Sequence, residues 1–196
     1  SISKVKKIIK NTQTSKLKIG YKFGLEFLNS KKGRKFVSKL KNKITFGDYK
    51  LADIPNTCAS TIKAVKDLKF NYITIHINSG YEALKAAKAV AGKTRLVGVS
   101  VLTSLDDKSL KEIGYNKRVE KIVLQQAKLA NKAKLDAIVC SPMEANFVRK
   151  VFKKEIITPG IRFSSKKDDQ KRTLTPKQAY RNGSDWLVIG RPITKG

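Results

Sequence analysis

Short runs rich in β-branched and aromatic residues alternate with windows of helical periodicity along the whole 196-residue chain. This alternation is the strongest constraint on the fold, because parallel strands need a long crossover and a helix is the usual one. Strands are predicted at residues 17–23, 44–50, 72–77, 96–102, 137–140, 156–161 and 186–190. Helices are predicted at 1–11, 34–41, 57–69, 81–91, 107–113, 118–132, 142–152 and 175–181. In the first helix Ile2, Val5, Ile8 and Ile9 form one stripe with lysines between them, and in 118–132 Val119, Ile122, Val123, Ala127 and Ala130 do the same. Pro142 and Pro176 suit first helical turns, and Gly183 follows the end of the last helix. Seven βα units with no repeat or linker predict one α/β domain, a TIM (β/α)8 barrel with seven strands recognisable. The pattern opens on a helix and stops soon after Gly190, so the first strand and last helix of such a barrel are expected to fall outside residues 1–196. An open doubly wound sheet is the alternative, but no Gly-rich dinucleotide fingerprint is present.

Composition narrows the function classes. No apolar run is long enough to span a membrane, and the N-terminus lacks a signal peptide's apolar stretch, so a cytoplasmic enzyme is expected. Cys58 and Cys140 show no zinc-like spacing and read as buried, reduced thiols. The net charge of +28 resembles a nucleic-acid footprint, but the 43 basic residues comprise 35 Lys and only 8 Arg, spread over nearly every segment. Phosphate-clamping and base-reading surfaces favour Arg, which argues for a solvated basic surface rather than nucleic-acid binding.

The strand at 44–50 ends in charge. Residues two apart share a strand face, so Asp48 and Lys50 point the same way. If that face is the barrel interior, both lie near the C-terminal mouth, where such barrels place their chemistry. Asp53 follows in the loop. Buried charge costs several kcal/mol per ion unless it is paired, so a purely structural protein would rarely carry this set. Position alone leaves a solvated salt bridge at the rim as the alternative.

Asp48-Tyr49-Lys50-Leu51-Ala52-Asp53-Ile54-Pro55-Asn56-Thr57 resembles the signature of the orotidine 5′-phosphate decarboxylase family. The Asp-x-Lys-x-x-Asp part is shared with related sugar-phosphate enzymes, and the Ile-Pro-x-Thr tail makes it more specific. Further resemblances run in order from Lys18 to Thr194. They are Tyr21-Lys22-Phe23-Gly24-Leu25-Glu26, Ile73-Thr74-Ile75-His76, Val101-Leu102-Thr103-Ser104, Thr158-Pro159-Gly160-Ile161-Arg162, Asp169-Gln170-Lys171-Arg172 and Val188-Ile189-Gly190-Arg191-Pro192-Ile193-Thr194.

The resemblance implies decarboxylation of orotidine 5′-phosphate to uridine 5′-monophosphate, without metal or cofactor. It implies Lys50 as the acid at C6, Asp48 beside the departing carboxylate, and Lys22 paired with Asp48. It implies a homodimer in which Asp53 and Thr57 complete the neighbouring site. Arg191, with the Gly190 and Arg191 amides, would grip phosphate. Gln170 would bridge phosphate and base, Arg162 would face the ligand, and Thr103 would read the pyrimidine edge. His76, the single histidine, is assigned a packing role because Lys50 already supplies the proton. The chain departs from the family in three places. No residue replaces the ribose-binding aspartate of the first strand, Ala52 stands where a histidine is frequent, and Asn78-Ser79-Gly80 replaces a small-Gly turn. A Mg²⁺-dependent sugar-phosphate enzyme and a polyanion-binding scaffold are the competing functions.

Overall fold

The computed structural model describes residues 1–163 and 172–194. β1 (Gly20–Gly24), β2 (Ile44–Leu51), β3 (Tyr72–His76), β4 (Arg95–Val99), β5 (Ala137–Val139), β6 (Glu155–Thr158) and β7 (Trp186–Leu187) form one parallel sheet whose spatial order is the chain order. The helices are α1 (Ile2–Asn11), α2 (Leu25–Leu28), α3 (Gly33–Ser38), α4 (Pro55–Ala64), α5 (Gly80–Val90), α6 (Asp107–Glu112), α7 (Val119–Lys132), α8 (Ala145–Val151), α9 (Pro176–Arg181) and α10 (Arg191–Thr194).

The sheet is curled. Tyr72 on β3 and Trp186 on β7 have ring centroids 6.2 Å apart. Four strand steps along a flat sheet would separate them by about 19 Å. The Lys18 ammonium, just before β1, also lies 5.5 Å from the Trp186 ring, so the two ends of the sheet approach each other. Seven strands therefore wrap round an interior as the TIM-barrel prediction requires, and the open doubly wound alternative is excluded.

Alternation along the strands sorts side chains between two cores. Phe46, Tyr72, Val97, Ala137 and Ile157, with Ile44, Val139, Trp186 and Val188 against them, fill the interior. Ile73, Ile75, Leu96, Ile138 and Ile156 point outward into the larger core beneath the helices, where Ile62, Leu84, Val123 and Val148 meet them. At the N-terminal ends of the strands, Arg95 donates to Glu155 (2.6 Å) and to the Tyr72 hydroxyl (2.7 Å), and Tyr72 donates to Glu155 (2.8 Å). Burial, then the Glu155 carboxylate, pushes the Tyr72 phenol up to about 12. This polar cluster marks the N-terminal end of the barrel, opposite the mouth where such barrels place their chemistry.

Several boundaries differ from the sequence prediction for local reasons. The helix expected over 57–69 begins at Pro55, whose fixed φ suits a first turn, and gives way after Ala64 to a 3₁₀ turn over Lys66–Leu68. The helix expected from Pro142 begins at Ala145, because Ser141 N–H donates to the Glu144 carboxylate and Met143 N–H to the Ser141 hydroxyl, which holds Pro142 in a turn. β4, β6 and β7 end earlier than the apolar runs that encode them. The short helices α2 and α10 have no apolar stripe long enough to announce them.

Gly98 is a close-packed position on β4. A Cβ there would stand 2.8 Å from Leu135 Cδ1 and 2.9 Å from Ile77 Cγ1. Gly98→Val is expected to overpack this layer, costing about 1–3 kcal/mol. Thermal unfolding should then show a melting temperature lower by several degrees, and an unchanged value would mean that the neighbours repack freely.

Candidate active site

The C-terminal end of β2 does not run on as a regular strand. Gly47 pairs with Ile73 and Leu51 with Ile75, so Asp48, Tyr49 and Lys50 lie opposite the single residue Thr74. Lys50 takes a left-handed backbone, φ +47°. That conformation costs a non-glycine residue about 1 kcal/mol and needs support. Thr74 supplies it, accepting the Lys50 N–H at 2.8 Å and donating its hydroxyl proton to Asp48 Oδ1 at 3.1 Å. Asp48 and Lys50 do converge, as expected from the sequence. They do so through a bulge, a device that re-aims a side chain, and not through simple strand alternation.

Three charged side chains meet there. Asp48 Oδ2 accepts from Lys22 Nζ and from Lys50 Nζ, both at 2.7 Å. The Asp48 side chain is 6% exposed, while those of Lys22 and Lys50 are 36% and 38% exposed, so the ammonium groups open onto the mouth. Burial pushes the Asp48 carboxyl up. Lys22, by charge and hydrogen bond, and then Lys50 outweigh it and hold the group below its ordinary 3.8. The stability that Asp48 contributes is therefore complete above that value and is lost as pH falls through the lower folded one. Acid melting curves from about pH 5 to about pH 2 are expected to fall more steeply for the wild type than for Asp48→Asn. Parallel curves would contradict the depressed carboxyl.

His76 closes β3 nearby. Burial, then the Lys50 charge, lowers its pKa below 6.5 against the opposing pull of Asp48. The imidazole is therefore neutral at pH 7, which suits packing better than proton donation.

The remaining sequence-predicted residues fall around the same end. Asp53 is exposed and accepts from Ile54 N–H at 2.7 Å. It makes no ion pair with Lys22 or Lys50 of its own chain. Thr57 is partly buried in α4, where its carbonyl accepts the Thr61 hydroxyl at 2.8 Å. Thr103 is buried in the loop after β4. Arg162 follows β6, where its N–H donates to the Leu174 carbonyl at 3.0 Å. Gly190 and Arg191 follow the adjacent β7, and the Gly190 carbonyl accepts from Ile193 and Thr194 to start α10. Gln170 lies outside the described residues.

Thr74 is the residue that sequence reasoning left without a role. Its signal was a hydroxyl between Ile73 and Ile75, on the inward face of β3. Among the described residues, no group of three or more His, Cys, Asp or Glu side chains is placed to hold a metal ion. No helix among them is long and apolar enough to cross a membrane. The arrangement can hold an ammonium proton donor beside a fixed carboxylate, and Arg162 and Arg191 follow the last two strands.

The model of the family described as orotidine 5′-phosphate decarboxylase / HUMPS matches residues 3–196. The orotidine 5′-phosphate decarboxylase of Wolbachia sp. subsp. Brugia malayi (strain TRS) is 47% identical over 180 residues, covering 89% of this chain and 80% of that one. The enzyme of the same name from Coxiella burnetii (strain RSA 493 / Nine Mile phase I) is 42% identical over 190 residues, covering 91% and 78%. The crystal structure of the Lactobacillus acidophilus orotidine 5′-phosphate decarboxylase matches with a TM-score of 0.81 at 31% identity, covering 99% of this chain and 87% of that one. That of the Methanocaldococcus jannaschii enzyme complexed with the inhibitor BMP gives 0.78 at 21% identity, covering 100% and 87%, a likeness of fold alone.

Proposed function

The chain belongs to the orotidine 5′-phosphate decarboxylase / HUMPS family, and from that premise we propose that it is a carboxy-lyase of pyrimidine biosynthesis. It converts orotidine 5′-phosphate to uridine 5′-monophosphate and carbon dioxide, without a cofactor. The observation that carries this reading is the Lys22–Asp48–Lys50 triad at the barrel mouth.

The bond from C6 to the carboxylate breaks and leaves its electron pair on C6, as carbon dioxide departs. No adjacent carbonyl delocalises that pair. The Lys50 ammonium meets the developing charge and transfers a proton to C6, becoming an amine that solvent reprotonates. Asp48 lies beside the departing carboxylate and keeps Lys50 oriented and charged. Lys22 balances Asp48, so that one carboxylate is held between two cations. Thr103 reads the pyrimidine edge. Arg191 with the Gly190 and Arg191 amides grips the phosphate, Gln170 bridges phosphate and base, and Arg162 faces the ligand, so that phosphate binding energy can serve the reacting end. Arginine is suited to this because its planar fork matches phosphate oxygens.

The working unit in this proposal is a homodimer. Asp53 makes no ion pair with Lys22 or Lys50 of its own chain, and beside it Ile54 exposes 66% of its surface, which supports this loop entering a second copy's site. The buried thiols Cys58 and Cys140 fit a reducing, cytoplasmic setting.

A spectrophotometric assay with a chelator present tests the reaction. Loss of orotidine 5′-phosphate absorbance is expected. No turnover of it, together with metal-dependent turnover of a keto-sugar phosphate, would overturn the proposal.

A further inference from the structure

A second buried ion pair lies near the barrel mouth and takes no part in the proton and carbon dioxide chemistry. Arg172 and Glu144 pair directly, with side chains 12% and 4% exposed. Burial costs a cation several kcal/mol unless its hydrogen-bonding capacity is used, so the partners of this guanidinium say what it is for. One terminal nitrogen faces Glu144. The other donates to the carbonyl of Leu102 at 2.8 Å and to that of Val101 at 3.2 Å. These are the two residues before Thr103, which is itself buried.

Glu144 is fixed in turn. Its second oxygen accepts the Ser141 N–H at 2.9 Å, and the Ser141 hydroxyl donates to the Arg172 carbonyl at 3.2 Å. Two residues further on, Leu174 N–H donates to the Gly160 carbonyl at 3.1 Å and its carbonyl accepts Arg162 N–H at 3.0 Å. Arg172 thus joins the loops after β4 and β5 to the backbone that carries Arg162. Burial lowers the Arg172 pKa, against the pull of Cys140, Asp107 and Asp106, yet a guanidinium remains charged at neutral pH. A lysine could keep the charge. It could not span a carboxylate on one side and two carbonyls on the other, because an ammonium is a compact point charge without the planar fork.

We propose that Arg172 is a positioning residue for the base half of the substrate: by holding the Val101 and Leu102 carbonyls it sets where Thr103 presents its hydroxyl and backbone to the pyrimidine. Glu144 sets the guanidinium in turn. This rests on the reading of the site as a pyrimidine-nucleotide decarboxylase, and Arg172 does not itself touch substrate.

The test compares the wild type with Arg172→Lys and, should that variant fold poorly, with Glu144→Gln. It measures KM and kcat for orotidine 5′-phosphate and the binding of two probes, uridine 5′-monophosphate and ribose 5-phosphate. Loss of a charge-assisted positioning contact is expected to raise KM and the uridine 5′-monophosphate Kd about tenfold. The expected kcat stays within about twofold, and ribose 5-phosphate binds as before. A general loosening of the fold would weaken both probes alike, and that result, or no change in either, overturns the inference while leaving the decarboxylase reading intact. Failure of the wild type to turn over orotidine 5′-phosphate or bind uridine 5′-monophosphate would overturn both.

Discussion

Lys50→Ala is expected to lower kcat/KM for orotidine 5′-phosphate by about 10⁴-fold or more, with the protein still folded. The magnitude reflects two losses at one atom. The proton for C6 disappears, and so does the positive charge that meets the electron pair as the carboxylate leaves. General acid catalysis alone accounts for about 10²–10⁴-fold, and fixed electrostatic stabilisation adds to it. Folding should survive, because Asp48 keeps Lys22 at 2.7 Å and the Thr74 hydroxyl at 3.1 Å. The Lys50 side chain is 38% exposed, so its removal opens little of the core. Single-turnover kinetics beside uridine 5′-monophosphate binding separate chemistry from affinity. Activity close to the wild type would remove Lys50 from the role of acid.

Subunit mixing is expected to show the second large effect. Asp53→Ala and Lys50→Ala should each be nearly inactive as homodimers. If Asp53 serves the neighbouring site, a mixed dimer places both substitutions in one site and leaves the other whole. Random exchange of equal amounts makes half the dimers mixed, so about one quarter of wild-type activity should return. No recovery after verified exchange would place Asp53 in its own subunit's site. The recovery also has a built-in control, since dilution below the dimer's dissociation constant should abolish it.

Much of the fold was legible in the sequence, for identifiable reasons. The β-branched run Ile73-Thr74-Ile75 and the stripe Ile122, Val123, Ala127 and Ala130 announced strand and helix because periodicity is encoded in consecutive residues. The triad was legible because Asp48 and Lys50 are close in sequence and charge at a strand end is conspicuous. The bulge was not, since nothing in Asp48-Tyr49-Lys50 states that Leu51 will pair with Ile75. That register belongs to two strands at once. The Thr74 link was missed for the same reason, and so was the Arg172–Glu144 pair, whose members are distant in sequence and meet only after the loops fold. The helix boundary at Ala145 turned on the Ser141 N–H donating to the Glu144 carboxylate, a competition that apolar periodicity cannot register.

The bulge of β2 has a directional consequence. The Thr74 hydroxyl oxygen accepts a hydrogen bond from the Lys50 N–H, and its own proton points at Asp48 Oδ1. Were Asp48 to take up a proton on Oδ1, the hydroxyl would have to turn and find another acceptor in a position that is 1% exposed. The path of the main chain thereby favours the ionised form of Asp48. Shortening residues 48–50 by one would remove part of the bulge and displace the Lys50 N–H from Thr74.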